Sequence, residues 1–324
     1  MQKFKFITHE NFNPFFNLAS EEYLLKQTDG YYIYLWINAP AVIVGVNQNA
    51  LAEVNLAYTE QNDIKVVRRL TGGGAVYHDF NNLCYTVIAP FSEGENHYKK
   101  FCLPVIEYLK SLGLNAQFTG RNDILVDGKK VSGTAQTVYN NRIMHHGTLL
   151  FDTDVNVLEK ALNPNKLKMQ DKGIKSVRSR VRCIKELLGD KMTLVEFKRG
   201  LADFLCKDAE KYSFSQSDLQ SINKLVKEKY STYEWNIGRS PKGNNSFEKK
   251  FDFGVFELTF DTIDGKIQNA FITGDFLCQK DISEFSVGLN GVAFTKFELE
   301  KAFSNIGEFI PNAKGNEIVN AIFE

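Results

Sequence analysis

Three consecutive glycines behind a pair of arginines constrain this 324-residue chain more than any other feature. The stretch reads Arg68-Arg69-Leu70-Thr71-Gly72-Gly73-Gly74-Ala75-Val76-Tyr77-His78-Asp79, and the apolar run Ile64 to Val67 leads into it as a strand. Adjacent glycines let backbone N–H groups approach a ligand with no side chain in the way. A concave row of such groups binds anions, and the forked guanidinium suits phosphate or carboxylate. No Gly-Lys-Ser/Thr follows and no spaced third glycine appears, so this is neither a Walker loop nor a dinucleotide fingerprint. Two readings stay open: a phosphate-holding loop, or a glycine-rich hairpin closed by a strand over residues 82–89.

Charge narrows the partners. Lys+Arg and Asp+Glu both number 39, a net charge of zero, which argues against nucleic-acid or polybasic membrane binding. The five cysteines (Cys84, Cys102, Cys183, Cys206, Cys278) are odd in number, scattered and free of Cys-x-x-Cys. That speaks against a zinc knuckle or a disulfide framework and points to a reduced, cytoplasmic setting. Residues 1–14 carry charges and no apolar core, unlike a signal peptide, and no run approaches a membrane span.

Periodicity predicts a helix over 17–26, with Phe16, Ala19 and Tyr23 on one face, and strands over 31–37 and 41–46. A helix over 98–112 is ended by Gly113, and strands follow over 123–126, 129–132 and 142–151. A helix over 155–162 stops at Asn163-Pro164, and 191–230 reads as mostly helical. Pro, Gly and Asn cluster over 239–245 as a linker. Beyond it come alternating stretches around an Asp264-Gly265 turn, then helices over 295–303 and 316–323. The expected fold is an α/β domain over 1–240 and a small α+β domain over 246–324.

The Asp127-Gly128 hairpin signal sets a register for its flanking strands. It pairs Leu125 with Lys130, Ile124 with Val131 and Asp123 with Ser132. That places Asp123, Leu125, Lys130 and Ser132 on one face and turns Lys129 to the other. Asp123 and Lys130 become diagonal neighbours, roughly 7–8 Å apart at Cα. The pair is either a ligand-facing constellation flanked by small residues or a surface ion pair. Lys172 to Arg182 is a dense basic segment, a solvated face or an anion clamp. His145 and His146 point to opposite faces of a strand and cannot easily share a metal. His78-Asp79 reads as a turn cap or loop orienter. No histidine is placed in sequence to activate Cys84 or Cys183, and Trp36, Tyr34 and Phe16 read as core.

Taken in order, these pieces resemble the lipoate–protein ligase A family. The resemblance rests on Asn13-Pro-Phe-Phe-Asn-Leu-Ala-Ser-Glu-Glu-Tyr23, Val44-Gly-Val-Asn-Gln-Asn49 and the glycine stretch. It continues through Arg121-Asn-Asp123, Lys130-Val-Ser-Gly-Thr-Ala135, His145-His-Gly-Thr-Leu-Leu150, Lys175-Ser-Val-Arg-Ser-Arg-Val181 and Tyr233-Glu-Trp-Asn-Ile-Gly238. It implies a biotin/lipoate ligase-like mixed sheet flanked by helices, with a small C-terminal α+β domain. It implies ATP, Mg²⁺ and lipoate, a lipoyl-AMP intermediate, and transfer to a lysine of a lipoyl-carrier protein: an E2 lipoyl domain or the glycine cleavage H protein. By the same resemblance Lys130 is catalytic. Arg69, Gly73, Gly74, Ala75, Val76, Tyr77, Asp123, Lys130, Ser176 and Arg180 would hold the nucleotide. Gly72, His78, Lys130, Ser132, Gly133, His146 and Gly147 would hold lipoate, and Asp123 could hold the magnesium or Lys130. Val46, Asn81 and Cys183 depart from the family's usual basic residue, glycine and asparagine. Alternatives of the same fold are an ATP-independent octanoyl or lipoyl transferase, a transferase using only preformed lipoyl-AMP, and a biotin ligase. A regulatory lipoate- or adenylate-binding protein is the non-enzymatic one.

Overall fold

A computed structural model describes residues 3–119, 122–162, 180–238 and 243–323. The strands β1 (Phe4–Thr8), β2 (Tyr31–Ile37), β6 (Asn82–Pro90), β7 (Ala116–Thr119), β8 (Asp123–Val126), β9 (Lys129–Tyr139), β10 (Arg142–Leu150) and β11 (Glu210–Tyr212) form one sheet. Their order is β11-β1-β2-β6-β10-β9-β8-β7. The β1 pairings are parallel and the remainder antiparallel. A second sheet, β4-β3-β5, is built from β3 (Ala41–Val44), β4 (Lys65–Arg68) and β5 (Val76–His78).

Side-chain alternation explains the layering. Along β2, Tyr32, Tyr34 and Trp36 enter a cluster with Leu18 and Leu24 of α1 (Pro14–Lys26), whereas Leu35 joins Val105 and Leu109 of the helix His97–Ser111 on the opposite face. Helix α1 starts three residues before the expected 17, because Asn13 caps it: Asn13 Oδ1 accepts from the Phe15 and Phe16 amides, with Pro14 in the first turn. In the second sheet, Ile43 and Val67 pack against the Trp36 cluster, and Val42, Val44 and Tyr77 face the other way. The space between the two sheets is where the cavity forms.

Several expectations change. The glycine stretch is not a hairpin closed by residues 82–89, because β5 pairs with β3 and β6 pairs with β2 and β10. The chain between them changes sheets. Residues 191–230 hold the short strand β11 between the helices Leu194–Leu205 and Gln216–Leu225. The third sheet, β12 (Asn245–Phe251), β13 (Gly254–Ile263) and β14 (Lys266–Gly274), includes a first strand the alternation did not reveal, and a helix Ile282–Gly288 follows it. The two Asp-Gly turns are present, with all four residues at positive φ (Asp127 49°, Gly128 76°, Asp264 50°, Gly265 73°). Phe256, Phe276, Phe303 and Val319 belong to a hydrophobic cluster drawn from the C-terminal segment alone.

Candidate functional site

The site begins with the turn between β4 and β5. Arg69 is buried, and its guanidinium ties the loop into shape: Nη1 donates to Ile43 O (3.0 Å), Nη2 to Gly72 O (2.6 Å) and Gly74 O (3.0 Å), and Nε to Thr71 Oγ1 (2.9 Å). With loop carbonyls bound by Arg69, the glycines stay free of side chains toward the cavity; a Cβ on Gly74 would meet nothing within 4 Å. Gly73 sits at φ 92°, a conformation that favours glycine. Burial lowers the Arg69 pKa to about 10, which leaves it cationic at neutral pH.

Arg68, read from the sequence as an equal donor, does not reach the cavity. It is fully buried, and its guanidinium donates to the carbonyls of Gly45 (2.9 Å), Val46 (3.2 Å), Gln48 (2.6 Å), Trp235 (2.9 Å) and Asn236 (3.1 Å). Successive residues leaving a strand point to opposite sides, so only one arginine of the pair faces the cavity.

The cavity measures about 180 Å³ and is lined by Arg69, Gly72 to Val76, His78, Asn122, Lys130, Gly133, His146 and Gly147, together with Leu18, Trp36, Ile43, Cys84, Thr134, Ala135 and Thr148. Strand register orders these residues. Trp36 lies opposite Cys84, Cys84 opposite Thr148, Gly147 opposite Thr134, and Gly133 opposite Asp123. The row from Trp36 on β2 to Asp123 on β8 crosses four strand gaps, roughly 19 Å. Its β2 end is apolar. At its other end Lys130, on β9, places its Nζ 2.7 Å from Asp123 Oδ1 on β8. Among the described residues that oxygen has no aligned hydrogen bond, so the contact is a close ion pair.

The Asp123–Lys130 pairing stands, but the register that led to it is corrected. A bulge lies between the Ile124 and Leu125 pairings: Leu125 pairs with Lys130, yet Ile124 pairs with Ser132 and Asp123 with Gly133. One extra residue, Val131, turns inward with Ser132, and both are fully buried away from the cavity. Ser132 therefore does not line it. Gly133 takes the expected place, and a Cβ there would lie 2.9 Å from Lys130 Nζ. Tyr77 likewise turns its ring to the outer cluster, and only its backbone belongs to the loop. Ser176 lies outside the described residues. Arg180 is exposed, and its neighbour Val181 bridges to Lys130, with the Arg182 amide donating to Lys130 O (2.9 Å).

Behind the wall lies a polar network. His146 Nδ1 is 3.0 Å from the buried Glu21 carboxylate, and its Nε2 is 2.8 Å from Thr71 Oγ1. Thr86 donates to the same Glu21 (2.5 Å) and accepts from Trp36 Nε1 (2.9 Å). His145 faces the other side, against Cys102 and Phe101. Asp79 caps the turn as expected, accepting from the Asn81 and Asp154 amides (both 2.9 Å).

Sequence reasoning missed Trp36, Cys84, Asn122, Thr134 and Thr148. Thr148 lies two residues beyond His146 and so shares its face; the others needed the cross-strand register. The fold also brings His78 Nδ1 within 3.6 Å of Cys84 Sγ, a partner not visible in the sequence. The pair is poorly suited to nucleophilic catalysis. Burial pushes the thiol pKa well above its usual value and pulls His78 down to about 3.

Residues 13–205 match the lipoyl protein ligase A/B catalytic domain family, and residues 240–322 match the bacterial lipoate protein ligase C-terminus. The chain is 40% identical to lipoate-protein ligase LplJ of Bacillus subtilis over 329 aligned positions, covering 98% of this chain and 99% of that one. It resembles the crystal structure of P. falciparum LipL1 in complex with lipoate, with a TM-score of 0.78, 27% identity and 98% of each chain covered. It also resembles a lipoate-protein ligase A bound with ATP, with a TM-score of 0.65, 26% identity, and 74% of this chain and 99% of that chain covered. A cavity running from an apolar end to a lysine beside a glycine loop, on this fold and with these relatives, places the chain in the lipoate–protein ligase family.

Proposed function

We propose that the chain carries out both half-reactions of an ATP-dependent lipoate–protein ligase. In the first, a carboxylate oxygen of lipoate attacks the α-phosphorus of ATP, and pyrophosphate leaves with the electrons of the broken P–O bond. In the second, the ε-amine of an acceptor lysine attacks the acyl carbon of lipoyl-AMP. The bond to the AMP oxygen breaks, the amine loses a proton, and AMP departs. The acceptor lysine belongs to a lipoyl-carrier protein, an E2 lipoyl domain or the H protein.

The observation that carries this reading is the polarity of one cavity, apolar at Trp36 on β2 and cationic at Lys130 on β9, three strand gaps apart. An acyl chain fits along it with its carboxylate at Lys130. Negative charge develops first on phosphoryl oxygens and then on the acyl oxygen, and a preorganised ammonium serves both. Arg69 and the backbone of Gly73, Gly74, Ala75, Val76 and Tyr77 hold the nucleotide; Gly72, His78, Gly133, His146 and Gly147 border the acyl chain.

Magnesium usually needs one or two carboxylates and completes its shell with phosphate oxygens. Among the described residues no group of three ligating side chains is arranged for a metal, but Asp123 fits the single-carboxylate role, with an oxygen lacking an aligned hydrogen bond. Bound there, the ion would offset phosphate charge. Without it, Asp123 positions Lys130. We assign residues 1–240 to catalysis and 246–324 to an accessory role, and a reduced cytoplasm as the setting, in keeping with five unpaired cysteines.

The test is lipoate-dependent exchange of labelled pyrophosphate into ATP with no acceptor present. Exchange supports adenylate formation. Folded protein that cannot exchange, yet transfers from lipoyl-AMP to a lipoyl domain, would reduce the reading to the second half-reaction. Lys130→Ala is expected to slow exchange by about 10²–10³, with Lys129→Ala near normal.

A further inference from the structure

The apolar end of the cavity is walled by a histidine whose proton can be located from the hydrogen bonds behind it. The Asn11 amide donates to His9 Nδ1 (2.9 Å), so His9 carries its proton on Nε2 and donates to the Tyr34 oxygen (2.6 Å). Burial holds the His9 pKa down to about 4 and the Tyr34 pKa well up, so the imidazole is neutral and the phenol keeps its hydrogen. Tyr34 donates to Asn17 Oδ1 (3.0 Å). The Asn17 amide nitrogen faces the Asn11 and Ile37 carbonyls (both 3.0 Å), which settles its orientation, and also donates to Asn38 Oδ1 (2.9 Å). The Asn38 nitrogen is thereby turned to His78 and donates to its Nδ1 (3.1 Å).

Every link runs in one direction, from the surface toward the cavity. An imidazole that accepts at Nδ1 keeps its proton on Nε2 when neutral. Burial first, then the charges of Arg69 and His146, hold His78 neutral. His78 is 3% exposed, and its Nε2 has no hydrogen-bond partner among the described residues. It stands at the acyl end, with its ring 6.0 Å from Trp36 and Nδ1 beside Cys84.

We propose that the His78 Nε2–H recognises the far end of the bound acyl chain and selects an acid with an acceptor there, such as ring sulfur, over a plain hydrocarbon. The inference rests on reading this cavity as the acyl site. A buried N–H without a partner is destabilising. A hydrocarbon tail leaves it so, whereas sulfur, though a weak acceptor, relieves it in part. Donors aligned in series polarise one another, which strengthens the last. Asn17 and Asn38 are positioning residues in this scheme.

The experiment compares lipoate with octanoate on the full chain, as kcat/KM in pyrophosphate exchange, alongside the ring-nitrogen chemical shifts of His78. The expected ring is protonated at Nε2. The lipoate-to-octanoate ratio should fall about fivefold in His78→Phe, the scale of one net hydrogen bond, and return in His78→Gln, whose amide nitrogen can take the Nε2 position. An Nδ1-protonated ring, or a ratio unchanged in His78→Phe, overturns the proposal. Should His78→Phe fail to fold, Asn38→Leu makes the same comparison, because it frees the ring to change tautomer and should lower the ratio. If neither acid supports exchange, calorimetric binding separates the two failures. No binding of either acid overturns the acyl-site reading, and equal binding of both overturns only the role of His78.

Discussion

At the scale of single residues, an absent methyl group decides where the Lys130 ammonium rests. A Cβ on Gly133 would sit 2.9 Å from Lys130 Nζ and 3.0 Å from its Cε. The obstacle is the tip of a flexible side chain, so Gly133→Ala should leave the urea midpoint almost unchanged. It should still cut pyrophosphate exchange by about 10–100-fold, because displacing a catalytic group by about 1 Å is costly. Equal losses of stability and exchange would make Gly133 a packing residue instead. The Asp123–Lys130 pair was legible because an Asp-Gly turn sets the start of the register. The bulge that turns Ser132 inward was not, because it depends on packing Val131 with Ile124 against the helix His97–Ser111.

At the scale of elements, the glycine loop stands because Arg68 holds together three pieces of chain: β4, residues 45–48, and residues 235–236. The Arg68 amide also donates to Asn236 Oδ1 (2.9 Å), and Trp235 Nε1 donates to Arg68 O (2.9 Å). Removing the guanidinium would leave several buried carbonyls unpaired. Arg68→Leu is therefore expected to cost at least about 3 kcal/mol in denaturant unfolding. If exchange fell while the unfolding midpoint stayed put, Arg68 would be a ligand contact after all. The sequence showed two arginines but could not tell them apart, since the partners that bury Arg68 lie about 20 and 168 residues away. The hairpin expectation failed for a related reason: a turn signal does not reveal which sheet each flanking strand will join.

At the scale of the whole molecule, the C-terminal segment touches the glycine loop. The Gly73 amide donates to Phe276 O (3.1 Å), the Gly274 amide donates to Asn47 O (2.9 Å), and Asn47 Nδ2 reaches Cys278 Sγ (3.1 Å). A Gly73 N–H engaged with Phe276 cannot also hold a phosphate. Nucleotide binding through Gly73 then requires this clasp to open, and small-angle scattering should differ with and without a stable lipoyl-adenylate analogue. Superimposable profiles would mean that the loop binds with the clasp shut. Acid should also unfold this protein early. Burial, ahead of neighbouring positive charge, pulls His78 and His145 from 6.5 to about 3. The unfolded chain takes up these protons near pH 6.5 and the folded chain does not, so their contribution is full above that pH. It is lost toward pH 3, by up to about 1.4 kcal/mol per pH unit for each ring. A urea midpoint that stays level as the pH falls below about 6 would contradict this.

The sequence by itself determined the family, the two-part organisation, the glycine loop and the pairing of Lys130 with Asp123. Each of these is written in residues close together along the chain: consecutive glycines, an Asp-Gly turn with strands either side, a proline- and asparagine-rich joint. The tertiary structure alone decided which arginine lines the cavity, that Trp36 and Cys84 close its far end, and that a relay through Tyr34, Asn17 and Asn38 assigns the proton of His78. Those outcomes depend on cross-strand register and on partners distant in the chain. Such partners are chosen by the packing of both sheets together, which local spacing does not encode.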